Sequence, residues 1–333
     1  MDWIAFPDDR FRVDGLYWWP ETAPNLWRLP ERMKAAAPQA VWELAHQPSG
    51  GRIRFTTDAE TLGIRLRYPS LAYMNNMPRV GQMGVDLYVD REYWKPVYPF
   101  ESSDVEAVFF ENMPRQRREI CLYLGLYAPV DVRAIGLGEG ATIWPPAPFS
   151  VEKPVAYYGS SITQGGCASR AGMSYQAIVS RALDLDFINL GFSGSGRGEQ
   201  ALAEAMAEID ASCFVIDFCQ NCPTPEFLQD VYAPFLATIR AKRPWTPMVC
   251  ITPIFSTTEI IGDVKRLPDM RTVIREVVAK RKAGGDANIT LVEGYDLLGP
   301  DEREGLVDES HPNDLGFVSM ARGLGPVLRR LLL

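Results

Sequence analysis

The sequence predicts an α/β protein in which a doubly wound parallel sheet is preceded by an antiparallel β-sandwich. Two patterns and the break between them carry this reading. Up to about residue 150, short runs alternate apolar with polar residues between turn signals, as expected of antiparallel strands with one wet face. Beyond it, continuous apolar runs alternate with helical stretches, the mark of a parallel sheet covered on both faces. At the break, Pro145-Pro146-Ala147-Pro148 cannot continue a ladder, because proline lacks the amide donor, and forms a stiff connector.

In the first part, strands are expected at 51–56, 62–68 and 85–89. In the second, a strand at 155–158 precedes a helix from about Ser174, and one at 187–190 precedes a helix from Glu199. The run at 213–218 precedes a helix from Glu226, and strands at 247–251 and 289–292 complete a sheet of about five. Apolar positions between 315 and 332, among them Val318, Leu324 and Val327, form a closing helix. At 333 residues the chain exceeds the usual single domain, and the boundary is placed at the connector: 1–148 as a jelly-roll-like β-sandwich, 149–333 as the α/β domain.

Hydrophobic residues make up 47% and charged residues 23%, enough for a sizeable core and against disorder. Acidic residues outnumber basic ones 42 to 34, for a net charge of −8. No basic run offers the local field that phosphate backbones need, so nucleic acid is not an expected partner. The densest basic group, Arg115, Arg117 and Arg118, beside a turn-like Asn112-Met113-Pro114, reads as a solvated loop. No apolar stretch has the length of a membrane span. The first residues lack a basic start followed by an apolar run, and six scattered cysteines form no disulfide pattern, so a cytoplasmic location is expected.

In doubly wound sheets, ligands sit beyond the carboxyl ends of the strands. Small and polar residues recur there: Gly159-Ser160-Ser161-Ile162-Thr163-Gln164-Gly165 after the first strand, Gly191 to Gly196 after the second, Cys219-Gln220-Asn221-Cys222 after the third. A glycine-flanked turn exposes the Ser161 hydroxyl beside backbone amides, as a nucleophile requires, although plain turns look alike; a phosphate loop would need a lysine that is absent. Gly194 and Asn221 could supply neutral donors to an oxyanion, or only ease and cap their own loops. Cys219 and Cys222 have the spacing of half a zinc site, but no second pair follows, and they read as core or loop residues.

His311 is one of only two histidines, the other being His46. An imidazole titrates near neutrality, and Asp308, three residues earlier, could orient it; equally, Asp308 could cap the helix that follows. The aromatics Tyr17-Trp18-Trp19, Trp27, Trp42 and Tyr93-Trp94 could stack on sugar rings or fill the sandwich core.

Taken together and in order, the Gly159-Ser160-Ser161 turn, Gly194, Asn221 and Asp308-x-x-His311 resemble the four blocks of the SGNH (GDSL-type) hydrolases over roughly residues 151–333. Gly84-Val85-Asp86-Leu87-Tyr88 further resembles the Gly-x-Asp-Leu-Tyr signature of a β-domain fused to one branch of these esterases. The resemblance implies a flavodoxin-like sheet and a triad of Ser161, His311 and Asp308. It also implies an oxyanion hole made of the amides of Ser161 and Gly194 and the Asn221 side chain. Ser160 and Cys222 stand where the family usually has aspartates. The implied activity is hydrolysis of a short-chain, acetyl-type ester on a carbohydrate or similar polar molecule, without metal or organic cofactor. A thioesterase, lysophospholipase or acyltransferase with the same triad is the alternative, and a silent carbohydrate-binding protein a further one.

Overall fold

Apolar alternation builds the first part of the chain into strands. The computed structural model describes residues 1–71 and 73–333. Among them, ten strands precede the connector: β1 (Asp2–Ala5), β2 (Arg12–Asp14), β3 (Arg52–Thr57), β4 (Leu62–Arg67), β5 (Val85–Val89), β6 (Glu92–Val97), β7 (Asp104–Phe110), β8 (Arg118–Tyr123), β9 (Asp131–Leu137) and β10 (Ile143–Trp144). They form two antiparallel sheets, ordered β1-β9-β4-β7 and β10-β3-β8-β5-β6, with β2 beside β3. Ile64, Leu66 and Ile135 of one sheet share a buried core with Phe55, Leu87 and Leu122 of the other, which makes a sandwich. Residues 145–149 have no regular structure, and the connector is fastened along β3 by Arg54 to the Ala147 carbonyl (2.8 Å) and Thr56 to that of Pro145 (3.3 Å).

The third sheet contains β11 (Val151–Gly159), β12 (Leu185–Gly191), β13 (Cys213–Asp217), β14 (Met248–Ile251) and β15 (Ile289–Val292). All pairs are parallel and the order is β12-β11-β13-β14-β15, the flavodoxin-like arrangement expected from the sequence. Every residue of β13 and β14 is buried, as continuous apolar runs under helices require. The longer helices of this part are Tyr175–Leu183, Gln200–Glu208, Pro225–Lys242, Arg266–Ala283 and the closing helix Asp314–Leu332.

The chain divides into two units: Met1–Glu31, Glu43–Phe149 and Ser169–Gly172 in one; Arg32–Trp42, Ser150–Ala168 and Met173–Leu333 in the other. Within the first, Asp86 and Tyr88 hold the segment 169–172. The Asp86 carboxylate accepts from the Gly172 amide (2.8 Å) and pairs with Arg170 (3.4 Å), which also meets the Tyr88 hydroxyl and lies 3.6 Å over the Tyr93 ring.

One reading of the basic group needs correcting. Arg118 is not a solvated loop residue: it starts β8, is buried, and donates to the Gln116 and Pro114 carbonyls, so it closes the turn before the strand. Trp18 and Trp42 are buried, whereas Tyr93 and Trp94 are exposed. Among the described residues no helix is long and apolar enough to cross a membrane.

Candidate active site

The loop of the candidate nucleophile Ser161 is shaped by the end of β11. Gly159 has no room for a side chain, since a Cβ there would lie 1.9 Å from the Thr163 hydroxyl and 2.5 Å from the Asp217 carbonyl. Ser160 then caps the single-turn helix Ser161–Gln164, its hydroxyl accepting from the Ile162 amide (3.2 Å), and Gly165 ends that turn at φ 103°. A serine is among the preferred residues at such a start, which gives a local reason for Ser160 at this position. Ser161 is thereby the first residue of the turn, half-buried.

His311 arrives from a loop braced on both sides. Leu306 bridges Pro312, the Val307 amide donates to the His311 carbonyl (2.9 Å), and Ser256 and Thr257 both donate to the Glu309 carbonyl. The Ser161 hydroxyl lies 2.9 Å from His311 Nε2 across 150 residues of sequence. On the other side of the ring, Nδ1 is 3.0 and 2.9 Å from the two Asp308 oxygens. Asp308 Oδ1 also accepts from the Ser310 (2.9 Å) and His311 (2.8 Å) amides, so the carboxylate is fixed before it meets the ring. With Nδ1 carrying the proton toward Asp308, Nε2 presents its lone pair to the serine hydroxyl.

The two sequence readings of Asp308 thus separate. It does not cap the closing helix; Asn313 does, accepting from the Leu315 (2.9 Å) and Gly316 (3.3 Å) amides.

Gly194 is exposed at φ 65°, a conformation that favours glycine, and among the described residues its amide meets no acceptor. Asn221 is brought against the same loop, but its side-chain nitrogen donates to the Phe192 and Gly196 carbonyls, both at 3.0 Å. Two carbonyl acceptors fix the amide's orientation and occupy both of its hydrogens. Cys219 and Cys222 are buried free thiols, and burial pushes Cys222 up to about 12. His46 is elsewhere, edge-on to Trp27 with ring centroids 4.5 Å apart in the first unit.

Two ionisable groups at this site escaped the sequence reading. Asp217, last residue of β13, is wholly buried and accepts from Thr163 (3.2 Å) and Tyr175 (3.1 Å); desolvation pushes its carboxyl up to about 7 against those hydrogen bonds. The signal was present as an acidic residue inside an otherwise apolar run. Cys167, buried just past the Ser161 turn, has its thiol pushed up to about 12 by burial and by the Asp308 charge. Nothing local in sequence announces that neighbour.

A serine hydroxyl in line with an imidazole and a carboxylate can carry out acyl transfer. Residues 152–329 match the model of the GDSL-like lipase/acylhydrolase family. The chain belongs to this family. Residues 1–143 match a second model, GxDLY, the N-terminus of the SGNH-hydro-type esterase. A GDSL-like lipase/acylhydrolase relative, a Bacteroides ovatus structure described as a GDSL-like lipase, is 31% identical, covers 99% of this chain and 98% of its own, and has a TM-score of 0.90. A salicylyl-acyltransferase from a tetracycline biosynthetic pathway is 21% identical over 99% of this chain and 97% of its own, with a TM-score of 0.85. An acetyl xylan esterase from the rumen bacterium Butyrivibrio proteoclasticus is 13% identical over 99% of each chain, with a TM-score of 0.67. These two share the fold. No curated protein matches. By its family, this GDSL-like chain is a carboxylic ester hydrolase.

Proposed function

We propose that the protein is a serine esterase that removes a short acyl group, of the acetyl type, from an oxygen of a carbohydrate or similar polar alcohol. The observation that carries the proposal is the 2.9 Å approach of the Ser161 hydroxyl to His311 Nε2, continued to Asp308 at 2.9 Å. His311 takes the serine proton as the oxygen attacks the ester carbonyl, and Asp308 stabilises the imidazolium formed. The amides of Gly194 and Ser161 receive the oxyanion. Asn221 joins them by exchanging one of its two loop bonds for that oxygen, an exchange the developing charge favours because hydrogen bonds to anions are the stronger ones. The imidazolium then protonates the departing alcohol, and water, activated by the same base, releases the acyl group. The acetyl xylan esterase of the same fold supports the acetyl and saccharide parts of the reading. No metal or organic cofactor enters these steps. The functional division is proposed at 148/149, within the irregular stretch after β10.

The test is covalent labelling with a serine-directed phosphonate, followed by hydrolysis of acetylated sugars and of short-chain and long-chain esters. Labelling that persists in Ser161→Ala would overturn the nucleophile, and a preference for long chains would overturn the acetyl reading. A second reading, acyl transfer to an acceptor other than water, is favoured by the nearly end-to-end likeness to the salicylyl-acyltransferase. Product partition between free acid and new ester in the presence of alcohol acceptors separates the two.

A further inference from the structure

The Cys167 sulfur, a carboxylate oxygen of Asp308 and a ring nitrogen of His311 lie within 4.8 Å of one another. All three belong to the second unit. We infer that they form a binding site for a borderline-soft divalent cation, zinc in chemical class, and that occupation of this site switches the esterase off. The inhibitory half rests on the function proposed above; the binding half does not.

One sulfur, one imidazole nitrogen and one carboxylate oxygen are the donors zinc selects, at bond lengths of about 2.0 to 2.3 Å. Around a tetrahedral ion such donors stand roughly 3.3 to 3.8 Å apart, so closing the site asks for side-chain shifts of about one ångström. Two features set which donors stay in place. Asp308 is held by the Ser310 and His311 amides through Oδ1, and Cys167 is only 5% exposed, walled in beside it. Three protein donors leave the fourth position for water. Magnesium and calcium prefer oxygen donors and gain little from a thiolate, which sets the selectivity.

On binding, the Cys167 thiol proton passes to solvent and the sulfur lone pair forms the new bond. If the ion takes Nδ1, the single ring proton moves to Nε2 and the Asp308 hydrogen bond is replaced, leaving no lone pair to accept from Ser161; if it takes Nε2, the serine contact is replaced. Either exchange removes a link that proton transfer from Ser161 needs. A metal-bound imidazole cannot carry both protons of the imidazolium, so acylation stops.

The experiment uses the full chain, stripped of metal and assayed on a small acetyl ester in a non-chelating buffer while zinc chloride is added. Wild type is expected to lose hydrolysis and to regain it with a chelator, while magnesium at the same concentration has no effect. Cys167→Ser keeps its basal hydrolysis and needs at least about tenfold more zinc, a typical cost of disturbing a metal site; Cys167→Ala, checked for folding by circular dichroism, behaves alike. In calorimetry, Ser161→Ala retains all three donors and binds one zinc ion, with the affinity falling at least about tenfold on adding Cys167→Ser. Equal zinc sensitivity of wild type and both Cys167 variants overturns the proposal, as does absence of zinc binding by Ser161→Ala. Zinc binding that depends on Cys167 in a protein hydrolysing no ester would retain the metal site and discard the esterase reading.

Discussion

The two histidines sit in unlike surroundings: His311 bridges Ser161 and Asp308, whereas His46 rests on Trp27. His311→Ala should lower kcat on an acetyl ester by several orders of magnitude with the fold retained, and His46→Ala should leave it nearly unchanged. Asp217 gives a prediction of a different kind. Its folded pKa, about 7, lies above the ordinary value of 3.8, so between those values the folded state binds the proton that the unfolded chain has lost. Stability from this group is therefore greatest at low pH and falls as pH rises toward 7, by an amount on the order of a few kcal/mol. Asp217→Asn removes that loss, and the Tm of the variant minus that of wild type should increase from pH 5 to pH 8; a constant difference would sink the assignment. Residue type and loop position marked Ser161, Asp308 and His311 as candidates, and it was their resemblance, taken in order, to the family blocks that joined them into a proposed triad. Asp217 and Cys167 were not legible, because what makes them informative is a neighbour supplied by another strand or loop.

The closing helix carries the loop of His311 at its start. Asn313 caps it with its oxygen, and its amide nitrogen donates to the Glu304 (2.7 Å) and Leu306 (3.2 Å) carbonyls. Asn313→Ala should cost about 1 to 2 kcal/mol and lower ester hydrolysis by loosening His311, read as a fall in Tm together with a fall in kcat. Asn313→Asp, which keeps the acceptor but not the two donors, should recover part of the stability only. Apolar periodicity located the sheet and this helix to within a few residues. It missed the start of β11, which begins at Val151 by pairing with Leu185 before an irregularity, because Glu152, Lys153 and Pro154 interrupt the apolar pattern there. It also could not tell a helix cap from a histidine orienter at Asp308, since both need an acceptor ahead of a helix.

Over the whole molecule, the sandwich-then-sheet order was readable from the change in periodicity at the connector, whereas the crossing segments were not: residues 32–42 cluster with the second unit and 169–172 with the first. Arg32 pairs with Glu208 at 2.6 Å in the one case, and Asp86 takes the Gly172 amide in the other. Such pairings depend on contacts remote in sequence, which periodicity does not encode. A fragment of residues 149–333 lacks the first of these segments and leaves the second without Asp86, so it should melt well below the full chain or aggregate on expression; thermal unfolding of the two compares them directly. The Asp86 clasp also bears on the order of events at the ribosome. Domains emerging first generally fold first, yet the Asp86 contacts to Arg170 and Gly172 cannot form until residue 172 has left the exit tunnel, by which time the serine turn has already been synthesised. Synthesis therefore runs from one end, while the clasp that closes the first unit waits on residues 169–172.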